Sequence, residues 1–246
     1  MRSYAIGDIH GHLDLLIAAH ARIAADRRRT RDHDAPVVHL GDLVDRGPAS
    51  KGVVEYLRAG IEHGERWHVL KGNHDRMFAG FLDDPATIDA GLRQSLSYLH
   101  PNIGGGTTLA SYGVANPADR PVQKVHADAC AQVPDSHRDF LARCPLYLQL
   151  GAVVFVHAGI RPGVALHDQS ETDLVWIREP FLSATEDHGF LVVHGHTAIE
   201  KPTHYRNRVN IDTRAAYGGP LTAAVIEGRD VFVLTDDGRE PLHPPE

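Results

Sequence analysis

Five short stretches of the chain carry side chains able to hold metal ions or move protons: Gly7-Asp8-Ile9-His10-Gly11, Gly41-Asp42-Leu43-Val44-Asp45-Arg46-Gly47, Gly72-Asn73-His74-Asp75, His157-Ala158-Gly159 and Gly195-His196. Taken as ligands, Asp8, His10, Asp42, Asn73, His157 and His196 mix carboxylate, imidazole and amide oxygen. That mixture suits Mn²⁺, Fe or Zn²⁺, whereas a calcium site would be all oxygen and a thiolate site would need cysteine. Six ligands exceed what one tetrahedral ion takes and fit two ions sharing a carboxylate. Two ions about 3.5–4 Å apart can hold a bridging hydroxide and clamp phosphoryl oxygens during in-line displacement. A lone Asp in such a place is an ordinary turn residue, and a lone His in an apolar strand, such as His39, is ordinary core. Five compatible stretches together are not.

Each stretch follows a short β-prone run, at residues 3–6, 37–40, 67–70, 153–156 and 191–193. Near-continuous apolar runs predict strands buried on both faces, and sites in such sheets form at the carboxyl ends of strands. Between them, Leu13, Leu16, Ile17, His20, Ile23 and Ala24 repeat at helical spacing, and Arg27, Arg28 and Arg29 close the segment with cations that suit a helix end. A second helix is expected over 52–59, after Pro48. Residues 76–144 carry no site motif and read as a helical insertion or cap that walls the site. Its helices are expected at 77–82, 89–99 and 136–142, and a flexible glycine-rich loop at 102–107. Strands are expected at 209–212, 221–226 and 231–234, the last two joined by a hairpin, and 241–246 as a disordered tail. The whole is one α/β domain over 1–240.

At 246 residues, 42% hydrophobic and 23% charged, the chain has the composition of a soluble globular protein. Its net charge of -7 argues against a nucleic-acid groove. Cys130 and Cys144 are too few for a disulfide framework, which points to a reducing compartment. A strand-like start leaves no room for a signal peptide, and no apolar run is long enough for a bilayer. A cytoplasmic location is expected, with neither membrane nor nucleic acid as partner.

In order and spacing, the five stretches resemble the signature blocks of the phosphoprotein phosphatase family, within the calcineurin-like metallophosphoesterases, over about residues 3–235. Leu174-Val175-Trp176-Ile177-Arg178-Glu179-Pro180-Phe181 is similar to the compact bacterial and phage branch that includes phage lambda phosphatase. The resemblance implies a β-sandwich flanked by helices, with a two-metal centre at one edge. Manganese is the first candidate, ahead of Fe, Zn or Ni. It assigns Asp8, His10 and Asp42 to one ion, and Asp42, Asn73, His157 and His196 to the other. His74 resembles the proton donor to the leaving oxygen, oriented by Asp45. Arg46 and Arg178 resemble the guanidinium pair that grips phosphate oxygens with forked donors, and Tyr217 a pocket-lining tyrosine. His12 and His194 read as supporting residues, and Asp75 as a brace for its loop. Arg214 stands where the branch has a small residue, which leaves substrate choice open.

The implied activity is a serine/threonine protein phosphatase acting on a phosphoprotein or phosphopeptide, with phosphotyrosine also accepted. In-line attack by a metal-bridging hydroxide would carry the reaction. Asp45 favours this over a symmetrical diadenosine tetraphosphate hydrolase, which is the alternative. An inactive phosphopeptide-binding module on the same fold is the distant third.

Overall fold

A computed structural model describes residues 1–245 and forms two sheets packed face to face. With strands numbered along the chain, the first sheet has the order β11 (Gly238–Pro241), β10 (Asp230–Thr235), β9 (Ala223–Glu227), β1 (Arg2–Ile6), β2 (Val37–His39) and β3 (Trp67–Val69). The second has the order β4 (Tyr147–Leu150), β5 (Val153–Val156), β6 (Leu191–His194), β8 (Arg208–Asn210) and β7 (Thr203–His204). Within them β1, β2 and β3 run parallel, as do β5, β6 and β8. The β-sandwich flanked by helices expected from the sequence is the architecture found.

The pleat sorts the side chains. Ala5 and Val38 point between the sheets and meet Val153, Phe155, Val193 and Val209 from the other side. Tyr4, Ile6 and Val37 point outward, onto Leu16 and Ile23 of α1 (Leu13–Thr30) and Val53 and Leu57 of α2 (Ser50–Glu62). On the far side Val156 and Val192 pack against Phe181 and Leu174, the latter from α7 (Glu171–Trp176). Burying each of these larger side chains contributes about 1.5–3 kcal/mol, and both faces of the parallel strands are covered.

Residues 76–144 belong to the helical layer over the first sheet. Phe78, Phe81, Tyr98, Leu109 and Val125 all enter the same core as α1 and α2. The helices here are the rest of α3 (Asn73–Asp83), then α4 (Gly105–Ser111), α5 (Val122–Gln132) and α6 (Asp135–Arg143). The stretch 89–99 is a run of turns, not the expected helix. Asp89 accepts from Arg76, from the Trp176 indole and from the Gly91 N–H, and these tertiary bonds override the local helical preference. The expected loop at 102–107 is instead the entry to α4, with Gly104 at φ 89 turning the chain so that Leu109 reaches the core. Strand β11 carries the chain into the expected tail as far as Pro241, and the Leu242 N–H donates to Val231 O at 2.8 Å. Sheet pairing thus holds the first two residues of that segment, whereas Glu246 lies outside the described residues.

Strand β11 also delivers Arg239 to Asp26, a buried carboxylate on α1. Burial alone would raise this carboxyl, but Arg239, Arg29 and the Tyr4 hydroxyl hold it down at about 2. Its contribution to stability is therefore complete above the unfolded carboxyl pKa of about 3.9 and is lost as pH falls through about 2. Asp26→Ala is expected to cost about 2 kcal/mol at pH 7 by urea unfolding, because it removes the charged acceptor shared by Tyr4, Arg29 and Arg239 and leaves Arg239 with Glu227 alone. The deficit should shrink between pH 4 and pH 2; a deficit that stays constant would mean that the charge is not its source.

Candidate active site

The carboxyl ends of β1, β2 and β3 meet those of β5, β6 and β8 along one rim. Backbone bonds lock the loops together there: His10 N–H to Asp42 O at 2.7 Å, Gly47 N–H to His10 O at 3.0 Å and Gly195 N–H to His157 O at 2.8 Å. The close approach needs glycine at two points. A Cβ on Gly72 would lie 2.2 Å from Asp42 Oδ1, and one on Gly195 would lie 1.9 Å from Asp8 Oδ1. Backbone strain concentrates at the same place. Of nine non-glycine residues with positive φ among the described residues, six are His10, Asp42, Asp45, Arg46, His196 and Arg214. Each costs about 1 kcal/mol, which only surrounding structure can offset.

Asp42 is the centre of the arrangement. One group of candidate metal-ligating atoms joins it to His10 and His74, a second joins it to His157 and His196, and within each group the atoms lie inside 4.8 Å. Asn73 Oδ1 sits 2.9 Å from both His157 Nε2 and His196 Nδ1. His10 Nδ1 faces Val44 O at 3.0 Å and His157 Nδ1 faces Leu40 O at 2.8 Å. Donation to those carbonyls fixes the tautomer and turns each Nε2 lone pair toward Asp42.

Five of the six expected ligands are thus gathered around one carboxylate. Asp8 belongs to neither group. Its Oδ2 accepts the His196 N–H at 3.0 Å, and its buried Oδ1 has no donor among the described residues, nor has His196 Nε2 a partner.

The electrostatics say what would complete the site. Burial depresses the basicity of His10, His157 and His196, so their imidazoles are neutral. Burial, then Asp212 and Asp42, push Asp8 well above the usual carboxylate range. Asp212, itself buried, is raised to about 6 by burial and by Asp42. Carboxylates and lone pairs packed together without cations repel one another. The donor set and the orphaned Asp8 oxygen therefore fit a pair of divalent ions sharing Asp42. Asp212 is a site residue that the motifs do not include. A signal for it exists, since Asn210-Ile211-Asp212-Thr213 follows β8 as the other motifs follow their strands.

His74 Nδ1 lies 2.7 Å from Asp45 Oδ2. Asp45 is fully buried and its Oδ1 accepts from the Tyr98 hydroxyl at 2.7 Å and the Thr108 hydroxyl at 2.8 Å. Neither Tyr98 nor Thr108 carries a motif; both come from the 76–144 region, to which the sequence assigns no chemistry. Arg46 Nη1 is 2.8 Å from His10 Nε2, and its guanidinium stands 5.2 Å from the Tyr217 ring, which is 60% exposed. Arg178 is exposed, makes no side-chain bond among the described residues, and lies near enough for its charge to lower His157 and His196. Asp75 accepts the Leu43 N–H at 2.9 Å and the Gly72 N–H at 2.8 Å, which braces the loop. His194 is buried against Phe181 and Arg208, a supporting position. His12 is half-buried beside the start of α1.

Sheet order, rim and donor set together define a metal-binding phosphoesterase fold. Residues 1–225 match the family described as calcineurin-like phosphoesterase, and the chain belongs to that family. It is 26% identical over 238 residues to the bis(5'-nucleosyl)-tetraphosphatase PrpE [asymmetrical] of Bacillus velezensis, covering 88% of this chain and 86% of that one. A solved structure described as a candidate diadenosine tetraphosphatase superposes with a TM-score of 0.61 at 20% identity, covering 99% of this chain and 95% of that one. The cold-active protein-tyrosine phosphatase of a psychrophilic Shewanella species gives 0.62 at 18% identity, covering 98% and 80%, a likeness of fold.

The Gly195 contact yields a direct test of the site. Gly195→Ala is expected to push Asp8 aside and cost at least one of two bound cations, read as metal per chain after manganese loading and desalting. Unaltered stoichiometry in a folded variant would remove Asp8 from the site.

Proposed function

We propose that the chain is a two-metal phosphohydrolase acting on a dinucleoside polyphosphate. The observation that carries the reading is the buried carboxylate–imidazole cluster around Asp42, opening beside Arg46. Asp8, His10 and Asp42 would hold one cation, and Asp42, Asn73, His157 and His196 the other. When bound, the ions supply the charge that makes water nucleophilic at neutral pH and neutralises phosphoryl oxygens.

The side chains do the rest. Arg46 and Arg178 orient the phosphoryl group through charge-assisted bonds. Water adds to phosphorus opposite the leaving oxygen, and the bond from phosphorus to that oxygen breaks. His74, its Nδ1–H held by Asp45, gives the departing oxygen a proton from Nε2. His74 is close enough to be counted with His10 and Asp42 as a ligand; its engagement with Asp45 supports the proton-donor role instead.

Substrate class follows the activity for which the Bacillus velezensis relative is named, and that relative covers most of both chains. Its activity is asymmetrical, which displaces the symmetrical hydrolase expected as the alternative. The serine/threonine protein phosphatase reading is kept second because of one observation, the intact His74–Asp45–Tyr98 chain. An alkoxide leaving group needs a proton far more than a nucleotide does. A binding module without activity would be expected to lack one of these groups, and all are in place.

Manganese-loaded protein should cleave diadenosine tetraphosphate, and chelator should abolish the reaction; phosphopeptide turnover higher by orders of magnitude would reverse the order of the two readings. His74→Asn should leave metal bound yet slow alkyl phosphate esters by about 10²–10⁴-fold. The loss should be smaller for anhydrides and aryl esters, and equal losses across leaving groups would rule out the acid role.

A further inference from the structure

Arg214 has no part in the machinery above. It sits at φ 66, a conformation that glycine adopts without strain. Its N–H donates to Asp212 Oδ1 at 3.0 Å, and its carbonyl accepts from Tyr217 at 2.8 Å and Gly219 at 3.0 Å. The side chain is exposed and makes no hydrogen bond or ion pair among the described residues. Within the chain this guanidinium meets only the Tyr217 ring and the charge of Asp212, which leaves its forked donors open to solvent.

Its surroundings indicate what that is. The guanidinium stands 5.7 Å from the Tyr217 ring, and Arg46 stands 5.2 Å from the same ring. Arg46 in turn reaches His10 at 2.8 Å. Two guanidiniums thus neighbour one exposed aromatic ring, and the Arg46 one also touches the reaction centre. Beside it lies a cavity of about 400 Å³ bounded by Arg46, Asn102, Gly104, Thr107 and Tyr217. That volume falls in the range of small-ligand sites.

We propose that this rim is a subsite for a polyphosphate chain, in which Arg214 binds phosphates beyond the one being cleaved and Tyr217 stacks the attached base. The proposal rests on the function above only for where the first phosphate sits. Forked guanidinium donors match phosphate oxygens, and an aromatic face accepts any base. A chain of phosphates bearing a base would engage both groups at once.

Equilibrium binding tests it without reading turnover. Manganese-loaded wild type, Arg214→Gly and Tyr217→Ala are titrated calorimetrically with orthophosphate, tripolyphosphate and ATP at equal free manganese. Wild type should bind tripolyphosphate at least tenfold more tightly than orthophosphate, and Arg214→Gly should reduce that ratio by about tenfold. Tyr217→Ala should reduce the ratio of ATP to tripolyphosphate by about fivefold. Glycine relieves the positive φ, so the thermal midpoint of Arg214→Gly should equal or exceed that of wild type, which separates lost binding from lost folding. Ratios that do not move overturn the subsite, as does an acidic phosphopeptide whose binding, in place of that of tripolyphosphate, depends on Arg214. Turnover of diadenosine tetraphosphate with unmoved ratios would fail the subsite alone, whereas moved ratios without turnover would fail the activity alone.

Discussion

The constraint on which the rest of the structure depends is the crowding of carboxylates and neutral imidazoles around Asp42. Asp8, Asp42 and Asp212 are all buried, and His10, His157 and His196 lose basicity there. Acceptors facing acceptors in a low-dielectric pocket are costly unless positive charge lies between them. A pair of divalent cations would supply that charge, and in the proposed reading Asp42 would be shared between them.

The fold makes this crowding tolerable by distributing the strain. Two parallel trios of strands, packed through Ala5, Val38, Phe155 and Val209, aim six loops at one rim. Positive φ at His10, Asp42, Asp45, Arg46 and His196 is held by cross-loop bonds such as His10 N–H to Asp42 O. Gly72 and Gly195 leave room where any Cβ would strike a carboxylate oxygen. Strain and close approach collect at the place where substrate chemistry needs rigid side chains.

Much of this architecture is legible in the amino-acid sequence. Strand runs ending in Asp, His or Asn predict both the sheets and the side chains that gather at the rim, because apolar runs and polar strand ends are local features. What stays hidden is tertiary. Tyr98 and Thr108 reach Asp45 across more than fifty residues and have no motif of their own. The stretch 89–99 looks helical, yet Asp89 commits its acceptors to Arg76 and Trp176. Helix α5 turns only Val125 and Ala129 fully inward, too thin a stripe to read as a period. Strand β11 follows a charged turn and depends on pairing with β10, which sequence alone does not display.

The most direct measurement of the central claim is an anomalous difference map from a crystal of the protein grown with manganese. Two peaks about 3.5–4 Å apart on either side of the Asp42 carboxylate are predicted, one toward His10 and Asp8 and the other toward Asn73, His157 and His196. A single peak, or density away from Asp42, would contradict the account.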